Sequence, residues 1–285
     1  MATLTDLLVD LDAEYGELRA VVGELSDDAP EWDLSTPAEG WAVRDQISHL
    51  AFFDDAGRLA MVEPETFAAM VDRLVAGTGD PMEVHLAQGR KMGGAELLDW
   101  WGSAHRSMVG AFTTADPAAR VPWFGPPMGV LSFISSRLME TWAHGQDVFD
   151  ALKVDRLPTN RLHHIAHLGV RARPFSYLVR GRDVPEGRID VTLTGPAGDE
   201  WRWEIGKDGN GAGNGAGASY EGEAEGRVDV AEVTGSALDF CLVVTQRRNL
   251  KDTGLEMTGT LAEEWMSIAQ AFAGPPGPGR PTTSS

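Results

Sequence analysis

The chain has 285 residues, of which 42% are hydrophobic and 24% charged, and it carries a formal net charge of -19. That length allows one large domain or two modest ones with cores of their own, and the acidic balance argues against a nucleic-acid or anionic membrane partner. No apolar run reaches the ~18 residues of a spanning helix, the first residues lack the pattern of a signal peptide, and a single cysteine, Cys241, rules out an internal disulfide, so a cytoplasmic address is expected.

Leu4, Leu7, Leu8, Leu11, Leu18, Val21, Val22 and Leu25 recur at helical spacing and predict a first helix from Thr5 to Leu25, with Thr3 or Thr5 as its cap. Pro30, Pro37 and Gly40 mark the following stretch as loop. A second helix is expected over Val43–Met61. At ~100° per residue, His49 shares its side with Ala42, Phe53, Ala56 and Ala60, a small apolar surround that implies burial. Pro64–Ala76 reads as a short helix, Gly77–Gly94 as loop, and Ala95–Phe112 as a third long helix. A proline-rich interruption around Pro117–Pro127 precedes a helix over Val130–Leu152. Its apolar stripe is Leu131, Ile134, Leu138, Trp142, Gly145, Phe149 and Leu152.

Within this last helix, Glu140 and His144 are four apart and Asp147 three further on, so all three project from one face. A carboxylate and an imidazole at that spacing can hold a divalent cation, and zinc accepts both ligand types while keeping one position open. His49, on the second helix, is the candidate third ligand. The competing reading is a solvated polar face, because these residues lie opposite the apolar stripe. The metal reading therefore requires that face to be covered by the His49 helix or by the second half of the chain.

A helix is expected over Thr159–Val179, with His163 and His167 on a solvated or interdomain face. Arg188–Thr194 and Glu200–Ile205 alternate strictly about Gly195–Gly198 and predict a hairpin. The stretch 206–217 is a glycine-rich loop, expected to be mobile, and Gly226–Val230 is a candidate strand. Ser236–Arg247 and Ala262–Phe272 read as helices, with a possible strand at Leu255–Met257. Cys241 lies among apolar residues and reads as buried filler, so any thiol chemistry would need an external thiol. The composition shift near Pro158 predicts a helical domain over 1–157 and an α+β domain over 158–274, with a disordered tail at 275–285.

The segment Trp41-Ala42-Val43-Arg44-Asp45-Gln46-Ile47-Ser48-His49-Leu50 resembles the first ligand helix of the mycothiol-dependent maleylpyruvate isomerase family. Glu140-Thr141-Trp142-Ala143-His144-Gly145-Gln146-Asp147 is similar to that family's second ligand helix. The resemblance implies an α+β fold, with a DinB-like N-terminal four-helix bundle followed by a smaller α+β domain. It also implies a divalent metal, usually zinc, on His49, Glu140 and His144. Asp147 is then a candidate catalytic or ligand-orienting group. Asp45 is read as a helix cap, or else as acceptor for the second ring N–H of His49. Asp239–Arg248 is loosely similar to a C-terminal family segment, which implies that Arg247, or Arg248, pairs with an anionic group of thiol or substrate.

The expected activity is that of a metal-dependent isomerase or thiol S-transferase. Mycothiol would be activated as its thiolate for addition to a small-molecule electrophile. The alternatives are a hydrolase or lyase using metal-bound water, and a non-catalytic metal- or small-molecule-binding module. A monomer or homodimer is expected.

Overall fold

The computed structural model describes residues 2–77, 81–206, 231–277 and 279–283. They form two compact units, Ala2–Arg156 and Leu157–Ser285. The fold is α+β, with a helical bundle in the first unit and a mixed sheet with helices in the second.

The bundle is built from α1 (Leu4–Val22), α2 (Val43–Val62), α5 (Gly94–Phe112) and α6 (Val130–Leu152), with α3 (Pro64–Ala76) and α4 (Pro81–Gly89) between the second and third of these. Helix α1 begins at a capping box. Thr3 Oγ1 accepts from the Asp6 amide, and the Asp6 carboxylate accepts from the Thr3 amide at 2.9 Å. Leu18, Val22, Trp32, Ile47, Leu50, Trp101, Val148 and Phe149 meet in one core that draws on all four long helices. The region expected to be loop at 77–94 contains α4. Pro81 opens that helix where its missing N–H costs nothing, and buried Leu86 anchors it.

Helix α6 is buried on most of its circumference, so its polar side is covered. Its end is tied to α1 by Arg156, whose guanidinium donates to the Trp142 carbonyl at 2.8 Å and pairs with Glu14 and Glu17. The proline-rich interruption folds as a small antiparallel pair, β1 (Arg120–Val121) and β2 (Met128–Gly129).

The second unit runs α7 (Leu162–Arg171), α8 (Arg173–Leu178), β3 (Ile189–Thr194), β4 (Glu200–Ile205), β5 (Ala231–Ser236), α9 (Ala237–Val244), β6 (Glu256–Thr258) and α10 (Thr260–Ile268). The sheet order is β4-β3-β5-β6; β3 pairs antiparallel with β4 and parallel with β5. Strict alternation turns Ile189, Val191 and Leu193 inward opposite Ile205, Trp203 and Trp201. Helix α9 starts at the cap Ser236, and Gly169 lets α7 approach it closely, since a Cβ there would lie 2.8 Å from Val244 Cγ2.

One expectation changes here. The single helix expected over 159–179 is two helices that break at Ala172, because Pro174 supplies no N–H to continue the ladder. On the histidine face of α7, His163 and His164 are half-buried and His167 is exposed. His163 packs edge-on to Trp201 at 4.9 Å, and His167 Nδ1 accepts from Trp203 Nε1 at 3.1 Å. The candidate strand at Gly226–Val230 and the glycine-rich loop beyond Gly206 lie outside the described residues. In the chain's last residues, Asn249 Nδ2 donates to the Arg280 carbonyl and Arg280 Nε to the Gln246 carbonyl. Among the described residues, no helix is long and apolar enough to cross a membrane.

Candidate metal centre

Helices α2 and α6 run side by side in the bundle and bring His49, Glu140 and His144 together. One ligand atom from each lies within 4.8 Å of the others. Among the described residues this is the one group of three or more such donors placed to hold a metal ion. Glu140 Oε2 is 3.1 Å from His144 Nε2 and 3.6 Å from His49 Nε2. Two ligands at ~2.0–2.1 Å from a tetrahedral zinc would stand ~3.3–3.4 Å apart. The two observed separations bracket that value, so the donor set fits a small divalent cation.

The protonation pattern points the same way. His144 Nδ1 lies 2.5 Å from Gln46 Oε1. Gln46 Nε2 donates to Thr36 Oγ1 at 2.8 Å, and that hydroxyl donates to the Trp41 carbonyl at 2.9 Å. The relay leaves Gln46 Oε1 as an acceptor, so His144 carries its hydrogen on Nδ1 and turns Nε2 toward Glu140. A bare Nε2 and a carboxylate are both acceptors. Their 3.1 Å contact is satisfied only when a proton or a cation lies between them.

Burial works against ionisation of Glu140. The two adjacent imidazoles, His144 and His49, outweigh it and hold the carboxyl well below its usual range. Burial, reinforced by the neighbouring His144, pushes His49 down to about 3 and keeps it neutral. A neutral imidazole and an ionised carboxylate are the forms that ligate metal.

The rings of Trp41 and Phe53 pack against this cluster. Trp41 lies 5.2 Å from His49 and stacks on His144 at 5.7 Å, while Phe53 is 4.6 Å from His49. Gln46 and Trp41 are supports that the sequence reading assigned no role. Their signal was available: Gln46 stands one turn before His49 on α2, and Trp41 just precedes that helix.

The remaining candidates divide. Asp147 is fully buried on α6 but is not among the converging atoms. Asp45 caps α2 through the Ala42 amide and pairs with Arg90 at 2.8 Å, so it is a cap rather than a histidine partner. Arg247 and Arg248 belong to the second unit, just past α9, where they donate to the carbonyls of Thr245 and Arg247. Cys241 is buried, and burial pushes its thiol well above the ordinary range.

A family model for the mycothiol maleylpyruvate isomerase N-terminal domain matches residues 11–149. Two Mycobacterium tuberculosis proteins, "Uncharacterized protein MT0041" (strain CDC 1551 / Oshkosh) and "Uncharacterized protein Rv0036c" (strain ATCC 25618 / H37Rv), are each 38% identical over 281 residues, which is 98% of this chain and 100% of theirs. Among solved structures, the mycothiol-dependent maleylpyruvate isomerase superposes with a TM-score of 0.55 at 14% identity, covering 90% of this chain and 93% of that one. A mutant of that isomerase gives 0.54 at 15% identity with the same coverage. At such identities the likeness concerns the fold.

Proposed function

Residues 11–149 belong to the mycothiol maleylpyruvate isomerase N-terminal domain family, and on that premise we propose that the chain is an enzyme using a divalent metal, zinc in the first instance, to activate mycothiol for addition to an electrophilic small molecule. The observation that carries this reading is the convergence of two imidazole nitrogens and one carboxylate oxygen between α2 and α6. A cation held by three protein ligands keeps a position open for a thiol and lowers its pKa, so that the thiolate predominates at neutral pH.

The chain's own residues then have defined tasks. His49 and His144 offer neutral nitrogens, and Glu140 offers the one negative charge among the donors. Gln46 holds the His144 ring in its tautomer, and Trp41 and Phe53 shield the site from water. Sulfur addition to a conjugated carbon, rotation about the bond that has become single, and expulsion of the thiolate give an isomer with no net change in atoms. Retention of the sulfur gives S-transfer instead. Asp147, buried one turn beyond His144, is proposed to position the ligand helix. Arg247 and Arg248 are proposed to pair with an anionic group of thiol or substrate, on the strength of the family resemblance.

His49→Ala and His144→Ala should each lose the metal, while Cys241→Ser should keep it, as read by elemental analysis of the purified proteins. Full zinc occupancy in His144→Ala would overturn the ligand assignment. Calorimetry of mycothiol binding to the metal-loaded protein tests the thiol, and absence of heat there would favour a metal-bound water as nucleophile.

A further inference from the structure

We propose that the electrophile this enzyme accepts is a neutral aromatic or similarly apolar molecule, seated on a wall of rings formed by Phe53, Trp123 and Phe124 beside the donor cluster. The inference rests on the thiol-addition reading and assigns the substrate class of that same site.

Phe53 stands one turn beyond His49 on α2 and touches its ring. From Phe53 the aromatic surface continues outward to Phe124 at 5.4 Å and Trp123 at 6.1 Å, both in the segment between β1 and β2. Trp123 is backed by two buried rings. Phe67 stacks on it at 5.7 Å with an interplanar angle of 4°, and Phe133 meets it edge-on at 4.8 Å. These inner rings account for the packing of the segment. The outer end does not close over: Phe124 remains 39% exposed. A single exposed phenylalanine calls for no explanation. Here it ends an unbroken path of rings that starts at a donor histidine, and a flat apolar ligand laid along that path would have its reactive carbon near the cluster.

Five arginines of this unit are already engaged. Arg44, Arg58, Arg90, Arg137 and Arg156 each pair with a carboxylate of the same unit. A neutral ring laid against the aromatic surface breaks none of these pairs and displaces only water.

The test is equilibrium binding to the full-length protein labelled with 5-fluorotryptophan, without metal and without thiol. The probes are 2-naphthol, an unreactive neutral aromatic, and fumarate, an aliphatic dicarboxylate. The Trp123 fluorine resonance is assigned by its disappearance in Trp123→Phe. With 2-naphthol that resonance should shift saturably, with a Kd about tenfold or more below that of fumarate, and Phe124→Ala should weaken binding about tenfold. Val75→Ala, at an exposed apolar site on α3, should change nothing. An unmoved Trp123 resonance, an unchanged Kd in Phe124→Ala, or fumarate binding as tightly as 2-naphthol overturns the proposal. Because neither metal nor thiol is present, such a failure would leave the thiol reading standing. Loss of mycothiol binding in the calorimetric experiment would in turn leave the aromatic wall intact.

Discussion

Gln46 decides which nitrogen of His144 is left bare, and it does so through a relay that ends on the backbone of the segment entering α2. Removing it frees the ring to rotate and take the other tautomer. Gln46→Ala should therefore lower zinc affinity ~10- to 100-fold, read by competition with a chromophoric chelator. Gln46→Glu, which still accepts from Nδ1–H, should recover most of the loss. Equal affinity in Gln46→Ala and the parent would show that the relay has no bearing on the metal. At Cys241 the sign is equally definite. Burial raises its pKa, so the folded protein keeps the thiol protonated at a pH where an unfolded chain would begin to ionise. Iodoacetamide at about pH 8 should leave the native protein unmodified and label it only after unfolding, with mass spectrometry as the readout.

The two ligand helices are held in register by a buried ion pair, which makes the site a property of elements as much as of residues. Arg137 on α6 donates to Asp54 on α2 through Nε at 3.1 Å and Nη2 at 2.8 Å, and both side chains are almost wholly buried. His105 on α5 faces the other Asp54 oxygen at 3.7 Å and reaches Asp12 on α1 at 3.1 Å, so the network touches all four long helices. Asp54→Ala strands the guanidinium and should cost ~3–5 kcal/mol of stability, measured by urea unfolding. The double replacement Asp54→Leu with Arg137→Met should restore most of it.

Much of this architecture was legible from periodicity. The spans of α2, α3, α5 and α6 follow from apolar spacing, and the β3–β4 hairpin from strict alternation about Gly195–Gly198. What periodicity hides is context. Helix α4 is short and set among glycines, and Pro174 divides what reads as one helix. Glu140 and His144 look solvated on a wheel because nothing local shows that α2 covers them. Gln46 and the Trp123–Phe124 segment escaped for a related reason: their roles come from contacts with residues far away in sequence.

At the scale of the whole chain, which carries a net charge of -19, the donor cluster and its supports all come from one unit. His49, Glu140, His144, Gln46, Thr36, Trp41 and the Arg137–Asp54 pair lie within Ala2–Arg156. The bundle also closes its own chain end, since Arg156 ties the exit of α6 back to α1. If metal binding needs only what this unit contains, residues 2–156 produced alone should fold and hold one equivalent of zinc per chain. Its affinity should match that of the full-length protein within about threefold, a difference of under ~1 kcal/mol. Elemental analysis and chelator competition on the two proteins provide the comparison. A folded fragment, confirmed by its helical circular dichroism, that binds zinc a hundredfold more weakly would mean that Leu157–Ser285 contributes to the centre. An intact affinity combined with lost mycothiol binding would instead assign thiol recognition to the second unit, the outcome expected if Arg247 or Arg248 meets the anionic group of the thiol.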